Sequence, residues 1–333
     1  MIEGEIHNFI KVWSIATTLF CYIYKIGKVI PKGKVRVVAL FPPIIIIFLL
    51  PVNLTSIHLG GSCSLFLAWL STFKLLLFVF SKGPLSSNPP HNLLHFLLLA
   101  SLPIKFQNDN NKKINLNKIK VVPRNWFELL VMAILTYYVF IPLNKYKENL
   151  HPLILKSLYS LHLYTGIEMF ISMIHIIVRY LIQVELEEPF NKPYLSTSVQ
   201  DFWGKRWNIM VSRILHPTVY EPMVKASSKV IGRKWAPLPA AVATFLVSGL
   251  MHEMMFYYIK REKATWQVWE PCWDSMCFFL IHGVCVALEI AYKKIFKPKH
   301  RLLPRFVSCI LTTSFVVSTV LCLFAPALLR CIV

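Results

Sequence analysis

Residues 235–259 read WAPLPAAVATFLVSGLMHEMMFYYI, an apolar stretch whose only acid and only imidazole are His252 and Glu253, side by side. A helix needs about 20 apolar residues, at about 1.5 Å of rise each, to cross the hydrocarbon core. The stretch therefore reads as a membrane span with a titratable pair inside it. The rest of the chain agrees. Of 333 residues, 56% are hydrophobic and 16% charged, and the mean hydropathy is +0.54. That is too apolar for a soluble fold of this size, and the charges cluster between apolar runs.

Spans are predicted near residues 7–24, 35–51, 54–80, 125–143, 152–183, 235–259, 272–292 and 303–326. The run from His91 to Pro103 is apolar but short, which suits a re-entrant or interfacial segment. The expected fold is all-α and polytopic, with about eight to nine transmembrane helices in one domain over residues 1–333. The net charge of +20 reflects basic residues concentrated in short loops, as positive-inside topology expects, and does not call for nucleic acid. Three such loops (Lys25 to Arg36, Lys105 to Arg124, Lys293 to Arg305) fall on the cytosolic side if 91–103 does not cross. The polar segment at about 185–234 then lies there too. Lys260, Arg261 and Lys263 dissent, facing the lumen.

The eight cysteines form no CxxC pair, and Cys272 with Cys277 lacks the partner spacing of a zinc site. No metal and no resident cofactor are expected. The first residues lack the basic region of a cleaved signal peptide, and RCIV is not a prenylation box.

A charge at the bilayer centre costs at least about 2.5–3.5 kcal/mol on insertion scales, so intramembrane polar groups are candidates for function. They are Lys74, His162, Glu168, His175, Arg179, His252, Glu253, His282 and Glu289. Glu168, His175 and Arg179 suit an interhelical polar network. Lys74 either snorkels or pairs with Glu168. His252 stands apart because Ser248 and Gly249 precede it by four and three residues on the same helical face, where small side chains would leave volume beside the imidazole. Histidine titrates near neutrality and suits proton transfer. Glu253 points about 100° away, as a supporting or packing group. His282 either lines the same cavity or packs. Several chemistries drop out. Phe256 breaks HExxH, no GxSxG, P-loop or GxGxxG occurs, and no histidine begins an HxxxD pattern.

A second constellation is NKPYLSTSVQDFWGKRWN, residues 191–208. Were its end helical, Asp201, Gly204, Lys205 and Asn208 would share a face, with Gly204 making room beside Asn208. Phe202, Trp203 and Trp207 would then anchor the helix at the lipid interface. Lys205, Arg206 and Arg213 would meet the phosphates of a nucleotide-bearing cosubstrate, or lipid headgroups.

QDFWGKRWN (200–208) and VSGLMHE (247–253), with Asn208 and His252 set 44 residues apart, resemble the plant wax synthase branch of the membrane-bound O-acyltransferases. HLGGS (58–62), FKLLLF (73–78), GPLS (83–86), LPIKF (102–106), FNKPYLSTS (190–198) and FFLIHGVC (278–285) resemble it in the same order. Gly204-Lys205-Arg206-Trp207-Asn208 stands where related sterol and diacylglycerol acyltransferases carry an acidic-Trp-Trp-Asn form, which favours the wax synthase branch.

The resemblance implies a multi-pass protein of the endoplasmic reticulum membrane that transfers an acyl group from acyl-CoA, a cosubstrate, to a long-chain alcohol or another lipid alcohol. It places catalysis on His252 and Asn208. The expected substrate-binding residues are Trp203, Gly204, Lys205, Arg206, Trp207, Ser248, Gly249 and His282. It leaves the acceptor open among fatty alcohol, sterol and diacylglycerol. A lipid transporter or lipid-binding membrane protein, using the buried charges as a polar conduit, is the rival from another class.

Overall fold

The computed structural model describes residues 2–86, 92–106, 126–146, 148–184, 186–261, 269–296 and 303–332. Several of the basic loop residues above (Lys112, Lys113, Lys118, Lys120, Arg124, Lys263, Lys297, Lys299 and Arg301) lie outside them. The described chain is helical: α1 (Ile2–Val29), α2 (Lys34–Leu49), α3 (Ile57–Cys63), α4 (Thr72–Val79), α5 (Leu93–Ser101), α6 (Trp126–Tyr146), α7 (Pro152–Ile182), α8 (Val199–Asp201), α9 (Ile209–Leu215), α10 (Glu221–Trp235), α11 (Pro237–Lys260), α12 (Trp273–Phe296), α13 (Arg305–Thr319) and α14 (Ala325–Ile332). π-Helical turns join α3 to α4 (Ser64–Ser71), α8 to α9 (Phe202–Arg206), α9 to α10 (His216–Tyr220) and α13 to α14 (Val320–Phe324).

Among the described residues, seven helical stretches are long and apolar enough to cross a membrane: Gly4–Val29, Lys34–Asn53, Leu59–Val79, Pro152–Ile182, Pro237–Lys260, Trp273–Phe296 and Arg305–Arg330. They coincide with seven of the eight expected spans. The eighth falls on α6, whose apolar stretch is the shorter Leu130–Ile141.

The run at 91–103 forms α5, nine residues long. At about 1.5 Å per residue it cannot traverse a core about 30 Å thick. Instead it is embedded, with Phe96, Leu99 and Ala100 in the main apolar core alongside side chains of α1, α2 and α4. A helix ending there leaves carbonyls that water cannot reach. Lys74 answers that need and takes neither expected course. It is 0% exposed, and its ammonium donates to the carbonyls of Leu99 at 2.7 Å and Leu102 at 2.5 Å. Ser71 donates to Ala100 at 2.6 Å, and His175 Nε2 meets the Pro103 carbonyl at 3.2 Å. Arg179 donates to the Leu186 carbonyl at 3.0 Å, so His175 and Arg179 tie α7 to the chain on either side of it.

Two of the loop cations are structural as well. Arg36 is buried and donates to the Phe78 carbonyl at the end of α4. Arg261, one of the dissenting group, is buried and donates to the Val52 carbonyl, while Lys260 pairs with Glu270. Two of the three dissenting cations, Lys260 and Arg261, are thus engaged in pairing and packing.

α11 and α12 pack through two reciprocal knobs. A methyl added at Gly249 of α11 would meet Met276 Sδ at 2.8 Å and Phe279 Cβ at 3.3 Å, and one at Gly283 of α12 would meet Phe245 Cβ at 2.8 Å. Phe245 and Gly249, and Phe279 and Gly283, are four residues apart, so each helix offers one phenylalanine and receives the other's on bare backbone. Small residues allow this close approach of helices in membranes.

Candidate functional site

His252 lies on α11 and is half-buried. Its Nδ1 is 2.8 Å from the Ser248 carbonyl one turn back. A carbonyl only accepts, so the hydrogen sits on Nδ1 and Nε2 keeps its lone pair. Ser248 therefore orients the imidazole through its backbone. Gly249 does something other than expected: it lets α12 close in, and that approach brings Phe279 against the imidazole at 4.4 Å between ring centres. Trp69 stands edge-on at 4.9 Å and Phe324 at 5.7 Å. The volume predicted beside His252 is occupied by aromatic rings.

Two of those rings come from π-helical turns, Trp69 from Ser64–Ser71 and Phe324 from Val320–Phe324. The extra residue of a π turn rotates the following side chains, and such turns recur at functional sites. Glu253 is 2% exposed. Its Oε2 accepts the Cys272 backbone N–H at 2.6 Å, at the start of α12, where the helix dipole favours an anion. It ties α11 to the start of α12 and has no contact with the imidazole among the described residues.

The motif segment is not a continuous helix. Ser198 caps α8 through the Asp201 N–H, the π turn Phe202–Arg206 follows, and Trp207 is extended. Asn208 then adopts φ 37°, ψ 61°, a left-handed conformation that asparagine tolerates better than most residues. Its Oδ1 caps α9 by accepting the Val211 N–H at 3.3 Å. The shared face of Asp201, Gly204, Lys205 and Asn208 does not form. Gly204 and Lys205 are exposed, and no side chain approaches the Gly204 Cβ position.

The aromatic residues turn inward, which corrects the interfacial reading. Phe202 is buried and stacks on Trp207 at 5.5 Å, which also stacks on Tyr164 at 5.6 Å. Trp203 stands edge-on to Phe245 at 5.6 Å and lies 6.2 Å from Phe279, the ring that faces His252. Asn208 and His252 are thus joined through Trp207, Trp203 and Phe279, with 6.4 Å between the two indoles. Arg206 is committed locally. Its Nε pairs with Asp201 at 2.8 Å, and its Nη1 donates to the Asn191 and Lys192 carbonyls at 3.2 and 3.4 Å. Lys205 is exposed, and so is Arg213 beyond the segment, 3.7 Å from the Glu187 carboxylate.

α12 supplies residues that sequence reading did not assign to this segment. The Glu289 carboxylate accepts the Val199 and Gln200 N–H groups at 2.8 and 3.2 Å, the free donors that open α8. Lys293 donates to Gln200 at 2.6 Å. His282, two turns before Glu289 on the same helix, is 0% exposed. It accepts from Trp203 Nε1 at 2.8 Å through Nδ1, and its Nε2 meets Thr319 Oγ1 at 2.9 Å. Both of its nitrogens are engaged within the fold. A shallow apolar groove of about 400 Å³ runs beside it, lined by Val199, Cys285, Leu288, Glu289, Tyr292 and Phe315. Phe315 also stacks on His282 at 5.2 Å. Among the described residues, no three His, Cys, Asp or Glu side chains cluster as metal ligands.

Comparison with known proteins matches residues 186–281, which hold both the motif segment and His252, to the membrane bound O-acyl transferase family. Acyl-CoA--sterol O-acyltransferase 1 of Arabidopsis thaliana is 40% identical over 97% of this chain and 91% of its own length. Long-chain-alcohol O-fatty-acyltransferase of Simmondsia chinensis is 39% identical over 99% of this chain and 92% of its own. Probable long-chain-alcohol O-fatty-acyltransferase 1 of Arabidopsis thaliana is 36% identical over 99% and 93%. A membrane-embedded helical chain, matched from end to end by acyltransferases and carrying the paired motifs at Asn208 and His252, belongs to the membrane bound O-acyl transferase family, in its plant wax synthase branch.

Proposed function

We propose that the protein esterifies a long-chain fatty alcohol with the acyl group of an acyl-CoA, giving a wax ester and free coenzyme A, in the endoplasmic reticulum membrane. The observation that carries this reading is the His252 geometry in a chain 39% identical to a long-chain-alcohol acyltransferase over 99% of its length. An alcohol is a poor nucleophile at neutral pH. The free Nε2 of His252 takes the hydroxyl proton as the oxygen attacks the thioester carbonyl, a role worth about 10²–10⁴-fold. The tetrahedral intermediate collapses, the C–S bond breaks, and the proton passes from His252 to the departing thiolate. No acyl-enzyme is required.

Asn208 has its Oδ1 spent on Val211, which leaves its amide N–H₂ to orient substrate or to meet the developing oxyanion. Lys205 and Arg213, exposed on the segment assigned to the cytosol, meet the phosphates of coenzyme A. The aromatic packing around His252 limits the access of water, which suppresses thioester hydrolysis. The lipid substrates must part those rings to reach it.

A sterol is the second reading of the acceptor, favoured by the relative that acylates sterols at 40% identity. Microsomes from yeast expressing the chain, given labelled palmitoyl-CoA with hexadecanol or a sterol, and labelled acetyl-CoA with diacylglycerol, decide between them. Wax ester is the expected main product. A dominant sterol ester selects the second reading, and an acetyl-diacylglycerol selects diacylglycerol as the acceptor. His252→Ala should lower ester formation at least about 100-fold with insertion intact; near wild-type turnover in that variant refutes the base assignment.

A further inference from the structure

Trp203, His282 and Thr319 form a chain of hydrogen bonds whose direction is fixed by chemistry. The indole N–H of Trp203 can only donate, so His282 Nδ1, 2.8 Å away, is the acceptor and carries no hydrogen. The hydrogen of the neutral ring is then on Nε2 and is donated to Thr319 Oγ1 at 2.9 Å. The hydroxyl of Thr319 passes its own hydrogen back to the Phe315 or Val316 carbonyl, at 3.0 and 2.9 Å. Each donor has an acceptor, and the ring has no lone pair left for a substrate proton.

The three residues come from three elements. Trp203 belongs to the π turn that precedes Asn208, and Ser212 of α9 donates to its carbonyl at 2.6 Å. His282 is on α12, one turn after Phe279, which faces His252. Thr319 is the last residue of α13, and the π turn that follows it delivers Phe324 edge-on to the same imidazole.

We infer that His282 and Thr319 are positioning residues for the acyl transfer: through Trp203 they hold the Asn208 segment in register with the aromatic lining of His252, and His282 is not a second base. This rests on the function proposed above. It differs from the expectation that His282 contacts substrate, since the ring is fully enclosed and its two nitrogens are taken up inside the fold.

The test uses the full-length protein in proteoliposomes, with palmitoyl-CoA and the acceptor on which the wild type is active. Glutamine offers an oxygen and an N–H spaced about as the two imidazole nitrogens are, so His282→Gln can accept from Trp203 and donate to Thr319. It should retain kcat within about threefold of wild type. His282→Leu can do neither, and should lose at least about tenfold in kcat with KM for acyl-CoA changed less than about threefold. Thr319→Ser should match wild type, whereas Thr319→Val, nearly the same shape without the hydroxyl, should fall about three- to tenfold. Trp203→Phe and His282→Leu should be non-additive, the double variant being no worse than the poorer single one.

His282→Gln as inactive as His252→Ala, or His282→Leu indistinguishable from wild type, overturns the inference. If His282→Leu fails to fold, the Gln variant and the Thr319 pair still decide it. A wild-type protein that makes no ester from any acceptor fails the proposed function instead, and so is told apart from a failure confined to the His282 and Thr319 variants.

Discussion

Gly283→Ala probes the link between helix packing and chemistry most directly. The added methyl would stand 2.8 Å from Phe245 Cβ and 3.2 Å from Phe245 Cγ. Ordinary carbon contacts lie at about 3.5–4.0 Å, so something must yield by about 0.7–1 Å. The nearest atom is a Cβ, fixed to the α11 backbone, so rotation of the ring cannot relieve the clash. α11 and α12 must separate. Overpacking of this kind costs about 1–3 kcal/mol.

His252 is on α11 and its closest ring, Phe279, is on α12, one turn from Gly283, so the separation falls on the site itself. A misplacement of about 1 Å can cost about 100-fold in rate. We predict that Gly283→Ala inserts normally, melts a few degrees lower, and loses 10- to 100-fold in turnover of labelled acyl-CoA in proteoliposomes. Gly249→Ala should be milder, because its nearest contact is Met276 Sδ at 2.8 Å, part of a flexible side chain. Gly166→Ala on α7 is the control. Nothing lies within 4 Å of its Cβ position, and replacing a helical glycine there should be neutral or stabilise by up to about 1 kcal/mol. Wild-type turnover in Gly283→Ala, or equal losses in Gly166→Ala and Gly283→Ala, would refute the coupling of this interface to catalysis.

Lys74→Met deprives the Leu99 and Leu102 carbonyls of their donor. At about 1–3 kcal/mol for an unsatisfied buried group, it should lower thermal stability in detergent while leaving turnover per folded molecule within about threefold. Glu289→Ala frees the Val199 and Gln200 N–H groups. A charge-assisted pair is worth about 1.5 kcal/mol or more, so kcat should fall about tenfold, with Glu289→Gln in between. The Asp201 carboxyl is raised by burial, but the Arg206 hydrogen bond, the Thr197 N–H and the charges of Arg206 and Lys205 together hold it below its usual 3.8. A depressed carboxyl contributes stability that is present above its unfolded value and disappears as pH falls through the folded one. Hydrogen-exchange protection over residues 197–206, corrected for the intrinsic pH dependence of amide exchange, should therefore stay high at neutral and mildly acidic pH and fall below about pH 4, a dependence absent in Asp201→Asn.

The spans were legible because hydrocarbon imposes a length and a polarity that any 20-residue window reveals. The pairing of Asn208 with His252 was supplied by the resemblance and not by residue chemistry. The surroundings of these residues were not legible, and the reasons are physical. A glycine beside a histidine implies a small residue but does not say whether space or a neighbouring helix fills it. At Gly249 the neighbour is α12, and the contact is made by Met276 and Phe279, 27 and 30 residues further along the chain. The π turns carrying Trp69, Trp203 and Phe324 insert one residue into a helix without a compositional mark, and so shift which side chains share a face. That is why the predicted face of Asp201, Lys205 and Asn208 does not exist.

Buried polar groups were correctly singled out as costly, but their partners are backbone groups distant in sequence: Leu99 for Lys74, Val199 for Glu289, Pro103 for His175. In hydrocarbon the scarce resource is a donor or acceptor for an unpaired main-chain group. Most of these intramembrane polar side chains are spent where a helix begins or ends at depth. His252 is set apart by its surroundings: its Nδ1 hydrogen is donated to the Ser248 carbonyl of its own helix, and the ring, whose Nε2 has no bond among the described residues, sits among Phe279, Trp69 and Phe324 beside the motif segment.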